Sequence, residues 1–174
     1  MAYKTAARAG ERSRATFVLR FEQQTEITGG MRLRLWVAPE SANDADLFVG
    51  IEKRSPTGEP GGFSGYNFVA DDGVAKGWLR LSHRQLDEAR STPTQLWHPH
   101  RQLLPVLPGE VVPAEVEILP SSTLFEAGSS LRLVVREPGG LVVLVLVLLA
   151  HDRADDAAQD GAADAAGGGA GAAV

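Results

Sequence analysis

A chain of 174 residues with a formal charge of −5 and no cysteine is long enough for one domain with a real core. It has no thiolate to give to a disulfide, a metal site or a nucleophile. The charge balance shows no basic stripe to neutralise phosphates, which argues against nucleic acid as a partner.

The first fourteen residues lack apolar periodicity and read as a flexible lead-in, with no apolar h-region to suggest a signal peptide. Thr16 to Phe21 is a short β-type run. Gly29-Gly30 predicts a turn before Met31 to Val37, where Leu33, Leu35 and Val37 alternate with Arg32, Arg34 and Trp36 as in a strand with one buried face. Pro39 to Ala45 reads as a loop and Asp46 to Lys53 as a further strand. The segment from Ser55 to Gly65, with two prolines and four glycines, is an irregular connection. Tyr66 to Val69, a turn at Asp71-Asp72-Gly73 and Val74 to Leu81 follow as strand, turn and strand, and a short helix fits around Gln85 to Ala89.

Val111 to Leu119 alternates again, with Pro113 demoting its start to an edge or bulge position. Phe125 to Gly128 makes a turn before a last alternating strand, Leu131 to Arg136. Short strands at this spacing, with no long helical period, predict an all-β sandwich over residues 15–137. Residues 138–150 hold an unalternating apolar run, Leu141 to Ala150. In a helix it would span roughly 15 Å, half a bilayer core, so no membrane segment is expected and the cytoplasm is the expected compartment. It reads as a buried strand or an exposed, aggregation-prone one. Residues 151–174 carry five Asp and one Arg among Ala and Gly, a composition expected to stay disordered.

One stretch stands apart. Val74 to His100 holds Trp78 and Trp97, three of the four histidines (His83, His98 and His100) and three arginines (Arg80, Arg84 and Arg90). It begins as a strand and turns polar at Ser82, and a polar, aromatic-bearing loop held by strands is more often a recognition surface than a packing element. Each chemical reading of these and neighbouring residues has a plainer rival. Gly62-Phe63-Ser64-Gly65 lacks the last glycine of a nucleophile elbow, because Tyr66 stands there. His98 and His100, with His83, Asp87 or Glu88, suggest a metal shell, yet no sequence motif fixes the geometry. Asn43-Asp44-Ala45-Asp46 has the oxygen content of a calcium loop but suits Asx-turns better. Trp36, Trp78 and Trp97 suggest a sugar platform, or core and interface anchors. No catalytic residue, cofactor or metal is expected.

Several blocks resemble the C-terminal non-catalytic β-domain of Xaa-Pro dipeptidyl-peptidases and the cocaine-esterase-like serine hydrolases. They are Thr25 to Gly29 leading to Leu33 to Val37, Asp44 to Val49, and Gly77-Trp78-Leu79-Arg80-Leu81-Ser82-His83-Arg84-Gln85-Leu86-Asp87. They continue with Ser91-Thr92-Pro93, Trp97-His98-Pro99-His100, Pro108 to Pro113, Leu119 to Phe125 and Leu131 to Val135. The resemblance implies a jelly-roll, galactose-binding-like sandwich that packs on an α/β-hydrolase catalytic domain carrying the catalytic triad, which has no counterpart in these residues. Hydrolysis of Xaa-Pro peptide or ester bonds would be the parent activity, and this chain alone is expected to be inactive. The expected docking residues are Trp78, Arg80, His83, Arg84, Asp87, Trp97 and His100. After Arg136 the sequence leaves the family pattern, as a shifted frame in a GC-rich gene would make it do. The rival readings are a stand-alone carbohydrate-binding sandwich and a truncated, inactive product.

Overall fold

The computed structural model of the chain describes residues 2–8, 14–61, 73–137, 141–148 and 150–151, with side chains described for 14–61 and 73–137. The chain is all-β, with two open sheets and no α-helix among the described residues. The strands are β1 (Ala2–Arg8), β2 (Arg14–Arg20), β3 (Thr25–Pro39), β4 (Asp46–Arg54), β5 (Ala75–Arg80), β6 (Val112–Phe125), β7 (Ser130–Arg136), β8 (Leu141–Leu148) and β9 (Ala150–His151). One sheet runs β1-β8-β3-β6, with β9 also on β3; the other runs β2-β7-β4-β5. All pairings are antiparallel.

Alternation is what places the core. Leu33, Leu35 and Val37 of β3 and Val116 and Ile118 of β6 point inward from one sheet. They meet Leu47, Val49 and Ile51 of β4, Leu79 of β5 and Leu133 and Val135 of β7 in one buried cluster. Each such side chain contributes about 1.5–3 kcal/mol relative to full exposure. Phe21 and Phe125 close one end, with ring centroids 4.6 Å apart. Pro113 lies on β6, the edge strand of its sheet, the place in a sheet where a missing N–H is tolerated.

Three expectations change. Residues 2–8 are β1, paired along its length with β8; the partner lies more than 130 residues away in sequence, so no local pattern announces it. Gly29-Gly30 is a register shift inside one fifteen-residue strand, β3, and not a turn between two. The apolar run, read as a strand, supplies β8, which pairs with β1 on one side and β3 on the other. The helix expected around Gln85 to Ala89 is absent, and a single 3₁₀ turn forms earlier, at Leu81–His83. Ser64, Tyr66 to Val69, Asp71-Asp72 and residues 152–174 lie outside the described residues.

The two sheets touch closely at their edges. A Cβ placed on Gly77 of β5 would stand 2.2 Å from the Glu117 carbonyl oxygen of β6. Only glycine fits, because the obstacle is backbone. Gly77→Ala is expected to cost about 2 kcal/mol and lower Tm on the order of 5 °C, read by thermal unfolding of the full chain. An unchanged Tm would show that β5 and β6 do not press together as described.

Candidate functional site

The segment that follows β5 leaves the sandwich at Ser82 and returns at Leu104. Leu104 N–H donates to the Ser82 carbonyl at 2.8 Å and closes the mouth. The Arg84 guanidinium donates to the carbonyls of Leu81, at 3.1 Å, and Leu104. Inside, the Asp87 carboxylate accepts from Ala89 N–H and Arg90 N–H, and Asp87 N–H donates to the Trp97 carbonyl at 2.9 Å. Ser91 Oγ donates to the Asp87 carbonyl and accepts from Trp97 N–H. The loop is polar because its backbone, lacking a ladder, is satisfied by its own side chains.

Two outside carboxylates tether it. Asp44 accepts from Ser82 N–H at 2.8 Å and from Ser82 Oγ at 2.6 Å, and Ala45 N–H completes its set. Glu117 of β6 accepts from Leu96 N–H at 2.9 Å while the Leu96 side chain is buried. Val106, fully buried, pins the return. The oxygens of Asn43-Asp44-Ala45-Asp46 that suggested calcium are thus engaged with the chain itself: Asp44 with Ser82, and Asp46 with Arg80 in a two-pronged pair at 2.7 and 2.8 Å.

The expected docking residues separate into groups. Arg84 and Asp87 face inward and shape the loop. His83 and His100 share a hydrogen bond between their Nδ1 atoms at 3.0 Å, with His100 at a positive φ of 52°. His98 Nδ1 meets the Gln85 carbonyl at 2.9 Å. Among the described residues no set of three or more His, Asp or Glu is placed to hold a metal ion. Trp97 is 50% exposed, with the Arg90 guanidinium 5.4 Å over its ring, a cation–π contact that orients both groups.

Trp78 and Arg80 belong to another surface, the outer face of the β2-β7-β4-β5 sheet. Trp78 is 63% exposed and sits across from Phe48 of β4, itself 50% exposed. Trp36 lies on the other sheet, beside Arg34, so the three tryptophans form no common platform.

Sequence reasoning missed most of this second surface. Register aligns Arg14, Arg136, Phe48 and Trp78 in one row across four strands, and Thr16, Val134, Gly50 and Lys76 in the next. Below them Glu52 draws in Arg14 at 3.8 Å, Arg54 at 2.7 Å and Arg132, whose Nε donates at 2.7 Å. Burial pushes the Glu52 carboxyl up, but hydrogen bonds from Arg54 and Arg132 more than offset this and leave it below the usual range. Arg14 is lowered by burial and by the neighbouring Arg132 and Arg136 charges. Asp46 is lowered by its hydrogen bond from Arg80. Among the described residues Arg14, Arg54, Arg132 and Arg136 thus gather near one carboxylate, a clustering that the summed charge does not show.

Comparison with known proteins follows the same outline. The X-Pro dipeptidyl-peptidase C-terminal non-catalytic domain matches residues 1–136. Two crystal structures of a CocE/NonD family hydrolase from Staphylococcus aureus are similar at 31% and 30% identity, with TM-scores of 0.70 and 0.72, over 86% of this chain and 33% of theirs. An aminopeptidase from a marine sediment Thaumarchaeota archaeon shares the fold at 16% identity and a TM-score of 0.53, over 74% of this chain and 19% of that one. The chain spans about a third of the length of the hydrolase structures it matches. No curated protein sequence matches it.

Two outcomes follow from this wiring. Asp44→Ala leaves the buried Ser82 without its acceptor and is expected to cost about 2 kcal/mol, with hydrogen exchange rising first in residues 82–104. Exchange that stays unchanged there would remove Asp44 as the tether. Glu52 holds its proton less tightly folded than unfolded, so its ionised form favours the fold. That contribution is complete above about pH 4.3 and is lost as pH falls through the lower folded value. Glu52→Gln should therefore lower stability at neutral pH and flatten its decline on the acid side, as read from urea unfolding between about pH 2 and 7. An acid slope identical to that of the parent chain would contradict it.

Proposed function

We propose that this chain, which belongs to the X-Pro dipeptidyl-peptidase C-terminal non-catalytic domain family, acts by docking on an α/β-hydrolase catalytic domain and helping to wall its active-site region. The partner chemistry is a serine hydrolase acting on Xaa-Pro peptide or ester bonds, with its triad supplied outside these residues. The strand orders β1-β8-β3-β6 and β2-β7-β4-β5 support reading the sandwich as a jelly roll of the galactose-binding-like kind. No helix among the described residues is long and apolar enough to cross a membrane, and we place the action in the cytoplasm, with no cofactor.

The exposed aromatics carry this reading. Trp78 and Trp97 are at least half exposed on a scaffold whose polar groups are bound largely to their own chain. Tryptophan and arginine are the types most enriched among interface anchors, and rigid support is what an anchor needs. Trp78, Trp97 and Arg80 are the contact residues in this reading. Arg84 and Asp87 are positioning residues, and the His83–His100 pair holds the loop's two limbs together beside them. Truncating one anchor would cost on the order of 2 kcal/mol of docking energy.

The full chain, purified without a partner, is expected to show no turnover of Xaa-Pro anilides or aryl esters above buffer. Robust turnover abolished by Ser64→Ala would place a nucleophile in this chain and overturn the docking role.

A further inference from the structure

His83 and His100 join two limbs of the 82–104 loop from positions 17 residues apart in the chain. Their Nδ1 atoms stand 3.0 Å apart and their ring centroids 5.1 Å apart, with the ring planes at 47°. A neutral imidazole has one N–H and one lone pair, so the contact as it stands is one N–H donated into one lone pair. The same separation suits a second arrangement. Two imidazole nitrogens 3.0 Å apart, each bound to one transition-metal ion at about 2.05 Å, subtend about 94° at that ion. That is close to the angle between neighbouring ligands in tetragonal coordination. A tetrahedral ion would need the nitrogens to part by about 0.35 Å more.

Both rings are carried on anchored backbone. His83 ends the 3₁₀ turn Leu81–His83, in which Leu81 and Ser82 are buried, and Asp44 grips Ser82 through its N–H and its Oγ. The Arg84 guanidinium, next in the chain, is engaged by the carbonyl dipoles of Leu81 and Leu104. On the other limb His98 Nδ1 donates to the Gln85 carbonyl at 2.9 Å, a second tie across the loop. Pro99 then fixes φ for the residue between His98 and His100. His100 itself stands at φ 52°, the positive-φ position among the described residues that is not glycine. That conformation costs a side-chain-bearing residue about what one ordinary hydrogen bond returns. Strain of this kind persists where the surroundings over-determine it, and it collects at binding sites.

We infer that His83 and His100 form a site for one divalent transition-metal ion, held through both Nδ1 atoms with water in the remaining positions. This departs from the expectation of no metal, which rested on sequence spacing alone. Imidazole suits zinc, copper and nickel. Two protein ligands with open positions also agree with the finding that no set of three His, Asp or Glu is gathered among the described residues; His98, committed to Gln85, is a buttress. On binding, the N–H at one Nδ1 moves through solvent to Nε2 of the same ring. Both lone pairs then face the ion, and no net proton is released. The ion is structural. It replaces one hydrogen bond across the loop with two coordinate bonds and stiffens the limbs that display Trp97. It supplies no chemistry and needs no hydrolase domain, so it stands or falls apart from the docking role.

The test is a calorimetric titration of the full chain, first stripped with a chelator, with Zn²⁺, Ni²⁺ and Cu²⁺ in turn. A non-coordinating buffer at about pH 7.5 keeps protons from competing for the ligands. One ion per chain is expected, and about a 100-fold excess over Kd should raise Tm by several degrees. His83→Gln and His100→Asn should each weaken binding at least about tenfold. Asparagine tolerates positive φ, so His100→Asn spares the backbone, and thermal unfolding without metal checks that both variants fold. His151 precedes Asp152, Asp155 and Asp156 and is the rival ligand set, so His151→Gln must leave the affinity unchanged. The electron paramagnetic resonance spectrum of Cu²⁺ on the His151→Gln chain reads the pair without altering it, and two imidazole nitrogens are expected. One nitrogen or oxygen ligands alone would overturn the site even if a pair variant fails to fold. So would no binding below about 1 mM ion, affinity that survives either pair substitution, or affinity lost with His151→Gln.

Discussion

The contact between Gly77 and Glu117 sets the geometry on which both exposed surfaces depend. The Glu117 carbonyl occupies the space a Cβ on residue 77 would need, so the edges of the two sheets close to backbone contact at this point. The carboxylate of the same Glu117 holds Leu96 N–H. One residue thereby sets how near β5 lies to β6 and where the loop leaving β5 comes to rest. Asp44 completes the constraint from the other side, holding Ser82 at the position where strand becomes loop. With its start at Ser82 and its interior at Leu96 fixed by charge-assisted bonds to side chains outside it, the loop needs no regular structure of its own.

Much of the sandwich was legible because alternation is a local property. Leu33, Leu35 and Val37, or Val112, Ala114, Val116 and Ile118, show their buried face within a few residues, and each lies in the core as its pattern implies. What could not be read was everything that needs a partner strand. Residues 2–8 have no pattern of their own, and their role follows from pairing with residues 142–148. Gly29-Gly30 carries the usual mark of a turn, yet β6 pairs with β3 on both sides of it, and one extra residue on β6, between Ile118 and Ser121, is absorbed as a register shift opposite Gly30.

The candidate site shows the same limit. Sequence singled out the loop because its large side chains are consecutive, and it marked Trp78 and Trp97, which stand at least half exposed. It could not tell that Arg84 and Asp87 are engaged within the loop, since their partners are mostly backbone groups that any sequence would offer. It missed the gathering of arginines at Glu52 altogether. Arg14, Arg54, Arg132 and Arg136 come from three strands and are separated in the chain by acidic residues that lie elsewhere. Net charge sums over those positions, and only register sorts them.

Charge and packing on the outer face of the β2-β7-β4-β5 sheet bear on each other. Glu52 is drawn below its usual range by guanidinium neighbours even though burial opposes it, while burial first, and then the Arg132 and Arg136 charges, depress Arg14. One carboxylate, Glu52, therefore stands among several guanidinium groups that repel one another. Phe48 and Trp78 lie in the same row of the sheet as Arg14 and Arg136 and are at least half exposed, so any group that covers these aromatics must also meet the guanidinium charge beside them.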